Sequence, residues 1–267
     1  MTILIIFLHH LLISLLLTTL TWCIYLYYRN MSIIDMTWAL GFFCLILYDY
    51  LYLLPLSPYS SNQINYVYPV IILLISIWSI RLSSFIFFTR LKFNHRDTRY
   101  ENIQTNWTKQ SSYNVLLNYW FQGFLQASLS IAFIPLLLTH QNQFLPIIPT
   151  LLAIIAVVGE SLADYQLLAF KKTSQSNAIC QAGLWQFSRH PNYFFDIMFW
   201  FSISLYTFLC SENIFVFVSP VLLYIIMRFI TGRITETVSL KKKGAAYQAY
   251  QNSTPMIFPK LSLKSKS

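Results

Sequence analysis

The chain has 267 residues, of which 56% are hydrophobic and only 10% are charged, and its mean hydropathy is +0.54. Soluble domains carry roughly 25% charged residues, so this composition excludes an ordinary water-soluble surface and requires lipid to solvate part of the chain. The net charge of +9 would suit nucleic acid, but the basic residues are spread between apolar runs, which argues against a nucleic-acid partner and favours a membrane.

Apolar runs long enough to span a bilayer follow one another along the chain, since a spanning helix needs ~20 mostly apolar residues. We therefore predict an all-α, polytopic transmembrane bundle of about seven spans, with a re-entrant or interfacial pair as the alternative. In chain order the predicted spans are about Ile3–Tyr28, Ile33–Leu54, Tyr66–Thr89, Val115–Thr139, Phe144–Phe170, Asn192–Cys210 and Asn213–Thr231. The first run has no basic start, so we interpret it as a retained span and not as a secretory signal.

Lys and Arg positions predict the topology, because these residues gather in cytoplasmic loops. With the N-terminus outside, every Lys and Arg except Arg81 and Arg228 falls in a cytoplasmic segment. We predict one membrane-embedded domain over residues 1–267 with a cytoplasmic tail over 232–267. The basic tail is typical of an anchor to anionic membrane lipids or of a direct role in ligand binding. The membrane is a bacterial inner membrane or the endoplasmic reticulum.

The most informative stretch is residues 183–196, where a cytoplasmic loop enters the sixth span. Pro191 suits the first turn of a helix. The helix start would then present free backbone N–H groups and a positive dipole end at the membrane surface. Arg189 and His190 add side-chain donors, so we expect a phosphate-bearing ligand there. The alternative is a capped helix with one Arg at the lipid headgroups.

Acidic and amide groups at the inner ends of two spans form a second candidate set. Asn192 and Asp196 are four residues apart and share a helix face. Glu160 and Asp164 are one turn apart in the fifth span. A carboxylate within a span is costly and indicates function by default. The alternative is that these acids balance basic residues at the headgroups.

Two arginines lie within predicted spans, where a charge is costly unless it is paired. Arg81 is predicted to face Asp35 or Glu160, and Arg228 to face Asp196. The charge-dense string from residue 95 to 100 is interpreted either as a solvated loop or as a ligand-binding one. The four cysteines match no metal or disulfide spacing, and no metal site is predicted.

The string Ser188–Tyr193 resembles the steroid 5-alpha-reductase C-terminal-like family, including its domain of unknown function 1295 branch. It is also similar to sterol C14-reductases and, more distantly, to isoprenylcysteine carboxyl methyltransferases. Further matches run in order through residues 33–259. They are Asp35–Phe42, Trp78–Leu82, Asp97–Tyr100, Phe121–Gln126, Gly159–Glu160, Ala163–Leu167, Phe170–Lys171, Ser219–Pro220, Thr231–Gly232, Glu236, Tyr247, Tyr250–Gln251, Thr254 and Phe258–Pro259. The chain departs from the branch at Phe195, where Gly is usual, at Asp196, where Glu is usual, and at Arg233.

The resemblance implies a membrane-bound reductase of a carbon–carbon double bond in a lipid or sterol-like substrate, with NADPH as hydride donor. The substrate would enter from the bilayer and the cofactor from the cytoplasm. Tyr193 and Asp35 are the catalytic candidates, while Tyr48 and Asp49 lie toward the predicted outer face. The Glu–Tyr pair that better-known steroid reductases draw from early spans is not identified here. The bulky Phe195 is expected to alter how closely its helix approaches a ligand.

The predicted NADPH contacts combine acids for ribose or amide groups, basic residues for phosphates, and two tail tyrosines that cap the cofactor. They are Glu160, Asp164, Lys171, Lys172, Arg189, His190, Asn192, Asp196, Tyr247 and Tyr250. Two other interpretations stay open. One is an S-adenosylmethionine-dependent methyltransferase of the isoprenylcysteine type, and the other is a non-catalytic, lipid-binding membrane scaffold.

Overall fold

Every regular element is helical in the part of the chain that the computed structural model describes, namely residues 2–56, 67–92, 97–105, 111–139, 145–175 and 177–260. The α-helices are α1 (Ile3–Tyr28), α2 (Ile33–Tyr48), α3 (Val67–Ile86), α4 (Thr98–Thr105), α5 (Ser112–Leu129), α6 (Ile147–Thr173), α7 (Pro191–Ser211), α8 (Val218–Ile225) and α9 (Gly232–Ser253). The all-α prediction is confirmed. The described residues do not include residues 140–143 between the predicted fourth and fifth spans, His95, Arg96 or the last tail lysines.

Six helical segments in the described ranges are long and apolar enough to cross a membrane, which confirms a polytopic bundle. They are Ile3–Tyr28, Ile33–Leu56, Val67–Leu91, Ile147–Thr173, Pro191–Ser211 and Ile214–Ser253. The predicted fourth span is the exception, because α5 carries an amide every four residues: Asn114, Asn118, Gln122 and Gln126. These amides share one helix face, and α5 continues as short 3₁₀ turns to Leu138. This segment runs alongside α1 from Trp22, which donates to the Ser112 carbonyl, to His10, which bonds Ser130, and so keeps the number of crossings odd.

Small residues let the first helices approach each other closely, as is common between membrane helices. A Cβ on Gly123 of α5 would lie 3.0 Å from the Thr18 Oγ1 of α1. The Gln126 side chain fills the space beside Gly41 of α2 and donates from Nε2 to the Trp38 carbonyl at 2.7 Å. The amide stripe of α5 therefore binds α2 to the bundle.

An aromatic core joins α2, α3 and α7. The Trp78 and Phe199 rings stack with centroids 5.3 Å apart and an interplanar angle of 9°, and Phe42 lies 4.4 Å from Trp200. All four side chains are fully buried. Such contacts add about 0.5–1.5 kcal/mol per pair to the area that they bury. The core lies about one helical turn further into the bundle than the charged residues described below and packs directly beneath them.

Two helices widen into π turns at the charged face. The α3 helix continues as the π turn Phe87–Leu91, and α8 continues through Ile226–Thr231 into α9. Turns of this kind often mark functional sites. A third π turn, Asp49–Leu53, extends α2 at its other end.

The tail returns to the foot of α7 after α9. Gly244 interrupts α9 with a φ of +56°, a conformation that favours glycine. Residues 254–260, the closing segment, then pair with the loop before α7. Arg189 N donates to the Pro255 carbonyl at 2.9 Å, and Lys260 N donates to the Phe187 carbonyl at 3.1 Å.

Candidate functional site

A cavity of about 270 Å³ opens at the charged face of the bundle. This volume is slightly below the roughly 300–1,000 Å³ of typical ligand pockets. Most of its polar and ionisable lining residues come from six separate segments of the chain. They are Asp35, Arg90, Arg99, Tyr100, Asn118, Gln122, Glu160, Asp164, Asn192, Tyr193 and Asp196. The remaining wall is mostly aliphatic and aromatic, so the cavity suits an amphipathic ligand.

Three carboxyl groups gather around one guanidinium on the α3, α6 and α7 side of the cavity. Arg81 Nη1 donates to Asp164 Oδ2 at 2.7 Å, and Arg81 Nη2 pairs with Glu160 Oε1. Asn192 Nδ2 reaches Asp164 Oδ1 at 3.4 Å, and buried Asp196 interacts electrostatically with Arg81 and Asp164. We call these five residues the acid cluster. The predicted pairing of Arg81 with Glu160 is confirmed.

Three buried acceptor atoms of the acid cluster have no donor within hydrogen-bonding geometry among the described residues. They are Glu160 Oε2, Asn192 Oδ1 and Asp196 Oδ1. An unsatisfied buried polar atom costs about 1–3 kcal/mol, so such atoms are rare in folded proteins. The cluster is therefore suited to a ligand that brings hydrogen-bond donors or positive charge.

The predicted pairing of Arg228 with Asp196 is wrong. Arg228 is exposed on the π turn after α8 and lies over the Phe229 ring at 5.4 Å. Asp196 is buried beside Arg81 instead. The seventh span turns Arg228 away from the bundle interior because the π turn adds a residue to that part of the helix.

A second charged group, the Asp35 cluster, covers the α2 side of the cavity. Asp35 Oδ2 accepts hydrogen bonds from Arg90 Nη1 at 2.5 Å and from Arg99 Nη2 at 2.6 Å, and Tyr100 Oη donates to Asp35 Oδ1. Asp97 also accepts from Arg99 at 2.8 Å and pairs with Arg90 at 3.0 Å. Arg81 is not part of this group, so its alternative predicted partner, Asp35, is wrong.

Tyr100 is the site residue that sequence reasoning missed. Burial raises the pKa of the Tyr100 phenol, and the nearby charge of Asp35 raises it further, so the hydroxyl stays protonated. Two signals in the sequence pointed to this region, namely the match over Asp97–Tyr100 and the charge-dense string from residue 95 to 100. Nothing in the sequence indicated that the short helix α4 would carry this phenol to a carboxylate 65 residues earlier in the chain.

Basic side chains of α6 and α9 interact electrostatically with one another, and one of them, Lys171, also interacts with Arg90, which lines the cavity after α3. Lys171 is exposed at the end of α6, where it interacts electrostatically with Arg90 and Lys242 as well as with Asp97 and Asp164. Lys243 interacts in turn with Lys171 and Lys242. Lys172 is exposed next to Lys171. We call Arg90, Lys171, Lys242 and Lys243 the basic mouth.

Arg189 and His190 do not line the cavity but bind the tail. Arg189 Nε and Nη2 donate to the two Glu236 carboxylate oxygens at 2.6 and 2.8 Å, and Nη1 donates to the Thr254 carbonyl at 2.5 Å. His190 Nε2 lies 3.2 Å from Glu236 Oε1. Burial lowers the pKa of His190 despite Glu236, so the imidazole is neutral at pH 7. A phosphate would reach Arg189 only by displacing Glu236.

Arg189, His190, Glu236 and the tail residues that they contact form what we call the tail clamp, and both predicted tail tyrosines are buried in it. Tyr250 Oη donates to the Trp185 carbonyl at 2.5 Å, and Tyr247 Oη lies 3.5 Å from Glu236 Oε1. Neither tyrosine lines the cavity, so the structure gives them a role in holding the tail. Tyr193 and Asp35, the two catalytic candidates, both line it.

A family model described as a protein of unknown function, DUF1295, matches residues 21–254. The chain belongs to the DUF1295 family. No curated protein and no solved structure gives a significant match. The resemblance predicted from the ordered motifs is confirmed at the level of this family. The whole lining of the cavity, from Asp35 to Ile234, falls within the DUF1295 match.

The Phe195 substitution in this DUF1295 chain affects helix packing and not the cavity. The Phe195 ring of α7 fills the space above Gly159 of α6, where a Cβ would collide with it. Phe195 is absent from the cavity lining. Phe195 therefore sets the packing of α7 against α6, and its side chain does not reach the cavity.

A separate polar network lies in the predicted outer half of this DUF1295 bundle. The buried His10 ring bonds Ser130 Oγ through Nδ1 at 2.7 Å and Asp49 Oδ1 through Nε2 at 2.8 Å. Tyr48 Oη lies 3.0 Å from His9 Nδ1. None of these residues lines the cavity, and both histidines precede the DUF1295 match.

Proposed function

We propose that this DUF1295 protein is a membrane-bound, NADPH-dependent reductase of a carbon–carbon double bond in a lipid or sterol-like substrate. The observation that carries the proposal is a single cavity whose walls hold the acid cluster and the Asp35–Tyr100 pair and whose mouth is basic. These three features match the hydride-donating end of a dinucleotide, a proton donor and the phosphates of the cofactor.

The acid cluster fits the nicotinamide end of NADPH. The unpaired acceptors Glu160 Oε2 and Asn192 Oδ1 would receive donors from the carboxamide or the ribose hydroxyls. Asp164 and Asp196 add negative charge next to them. Preorganised charge of this sign stabilises the positive charge that develops on a nicotinamide ring as it gives up hydride.

The basic mouth fits the phosphates. Lys171, Lys242 and Lys243 repel one another, Arg90 also repels Lys171, and a polyphosphate would relieve that repulsion. Lysine and arginine are the side chains that bind phosphate most effectively. Arg189 and His190 are not phosphate contacts in this proposal, because both already bind Glu236.

The chain supplies a proton donor on the opposite side of the cavity. NADPH, when bound, would supply the hydride that adds to one carbon of a polarised double bond. Tyr100 then donates its proton to the enolate or carbon on the far side, and the double bond becomes a single bond. Arg99 and Asp35 hold the phenol in position, and water restores its proton. Tyr193 of α7 is the second candidate for this role.

The apolar wall suggests how a lipid would reach these groups. Phe121 of α5 and Ile230 after α8 both line the cavity and are 52% and 43% exposed. In a bilayer these exposed faces meet acyl chains. We propose that the substrate enters sideways between α5 and the π turn Ile226–Thr231, while NADPH enters from the charged face.

Thermal unfolding of the detergent-purified protein tests the proposal, because a ligand that binds only the folded state raises the apparent melting temperature. We expect NADPH to raise it and S-adenosylmethionine to leave it unchanged. Asp196→Asn should weaken NADPH binding at least tenfold, a loss of about 1.4 kcal/mol. The matched control is Asp49→Asn, which changes a buried aspartate outside the cavity and should keep the NADPH response.

A response to S-adenosylmethionine alone would instead support the methyltransferase. One observation favours the methyltransferase. The acid cluster has three carboxyl groups for one guanidinium, and carboxylates would also attract the sulfonium cation of S-adenosylmethionine. The basic mouth argues against it, because S-adenosylmethionine carries no phosphate. A protein that responds to neither ligand would be the scaffold of the third interpretation.

A further inference from the structure

A second, wholly separate pocket lies on the flank of α7 and α8. It is an apolar groove of about 490 Å³, and its walls include Ile197, Met198, Phe201, Pro220 and Val221. Two of these residues, Phe201 and Val221, are 43% and 56% exposed although both belong to helices that span the membrane. The groove therefore opens to the bilayer and not to the cavity.

Aromatic side chains close both ends of this groove. At the outer end the Phe201 and Phe217 rings lie 5.6 Å apart. At the charged end Phe258 lies 6.1 Å from Phe194 and 5.7 Å from Tyr224. Phe258 belongs to the closing segment, so the tail itself forms part of this binding surface. From Phe194 to Phe201 the groove follows α7 for about 10 Å.

Two basic side chains lie near the end of the groove that Phe258 closes. Arg228 is one turn beyond Tyr224 on the same helix, exposed, and forms no ion pair with any described carboxylate. Lys260, two residues after Phe258, is exposed as well. An apolar groove with cations at its interfacial end is complementary to an amphiphile with an anionic head and an acyl tail.

We propose that this groove binds an anionic phospholipid of the same leaflet, with one acyl chain between α7 and α8 and its phosphate at Arg228 and Lys260. The site is independent of the cavity and of the reductase proposal. A free phosphate would not satisfy it, because most of its surface is apolar.

Lipid-dependent stabilisation tests the proposal. We expect phosphatidylglycerol added to the detergent-purified protein to raise the melting temperature more than phosphatidylcholine does. Val221→Trp fills the groove and should abolish most of both shifts. Its matched control is Val158→Trp, an equally exposed valine on α6, which should keep them. Arg228→Gln should remove only the preference for phosphatidylglycerol, and Lys241→Gln should not.

Equal shifts for the two lipids in the unaltered protein would overturn the headgroup assignment, and equal responses of the Val221→Trp and Val158→Trp variants would overturn the groove. If Val221→Trp does not fold, the lipid-induced shifts of the unaltered protein still test the headgroup assignment, and labelling of the unaltered protein tests the location of the groove. A phosphatidylglycerol with a photoreactive acyl chain should label the groove residues of α7 and α8 preferentially. Equal labelling of the exposed face of α6 would refute the proposal.

Discussion

Arg81 sets the charge balance of the cavity, because its one guanidinium lies among three carboxyl groups. The side chain is 17% exposed, and its partners Glu160 and Asp164 are 5% and 7% exposed. Removing one member of a buried ion pair leaves the other charge without compensation. Stability and ligand binding therefore depend on the same residue.

We expect Arg81→Gln to lower the free energy of unfolding by about 3–5 kcal/mol, because it leaves two buried carboxylates unpaired. Arg81→Lys should lose less, since an ammonium keeps the charge but lacks the two-pronged geometry of the guanidinium. Denaturant unfolding in detergent measures both. Lys241→Gln, which removes an exposed positive charge, serves as control, and an equally small loss in Arg81→Gln would contradict the role given to Arg81.

The residues of the acid cluster were predictable from the sequence, and those of the tail clamp were not. A carboxylate in an apolar run is conspicuous wherever it occurs, so Glu160, Asp164 and Asp196 were all singled out from the sequence, although Asp196 was predicted to pair with the wrong arginine. The partner of Arg189 was hidden, because Glu236 lies 47 residues further along the chain. A motif identifies residues with special chemistry but does not distinguish ligand contacts from internal ones.

At the scale of elements, α4 is the least expected part of the site. It is a short polar helix that apolar periodicity cannot detect. Its position depends on charges, since Arg99 and Tyr100 bind Asp35 while Asp97 binds Arg99 and Arg90. Most of the long helices were predictable within a few residues because the bilayer fixes their length, but the α-helix of the predicted fourth span ends at Leu129 and the seventh continues into α9. The π turns were not predictable, because they depend on packing.

The docking of α4 should depend on pH through Asp97. Burial raises the pKa of Asp97, but the charge and hydrogen bonds of Arg99, with Arg90, outweigh burial and hold the pKa below its ordinary value. An unfolded Asp has a pKa of about 3.9, so this stabilisation is complete above that pH. It is lost as the pH falls below about 4 toward the lower pKa of the folded state.

Thermal unfolding between pH 7 and pH 3 checks this expectation. Asp97→Asn should be less stable than the unaltered protein at pH 7, and the gap between the two should narrow below pH 4. Glu101→Gln changes an exposed acid on the same helix and should leave the pH profile unchanged. A constant gap between Asp97→Asn and the unaltered protein at all pH values would exclude Asp97 as the titrating group.

For the molecule as a whole, charge asymmetry is the dominant feature. The cavity, the basic mouth and the tail clamp share one face, whereas the other half holds the neutral or mutually bonded groups of the His10 network. The sequence predicted this polarity because Lys and Arg positions follow the membrane directly. It did not predict that the charged face holds separate structures, one for a ligand and one for the tail.

We expect this face to be cytoplasmic, as the distribution of basic residues requires. A reporter that is active only in the cytosol should give signal when fused to the C-terminus and not when fused to the N-terminus. Exchanging the tail lysines Lys241, Lys242 and Lys243 for glutamine should not invert the orientation, since basic residues in the other inner loops remain. The reverse pattern of reporter signal would contradict the topology.

The positive φ of Gly244 restricts which residues can replace it. A Cβ at this position would meet no atom within 4 Å, so any other residue would face backbone strain and not crowding. Phe258 and Lys260 follow this bend in the chain. The backbone angle at one exposed glycine therefore determines whether the closing segment reaches the groove on α7 and α8. A single glycine backbone conformation thus sets the direction of the segment that carries Phe258 and Lys260.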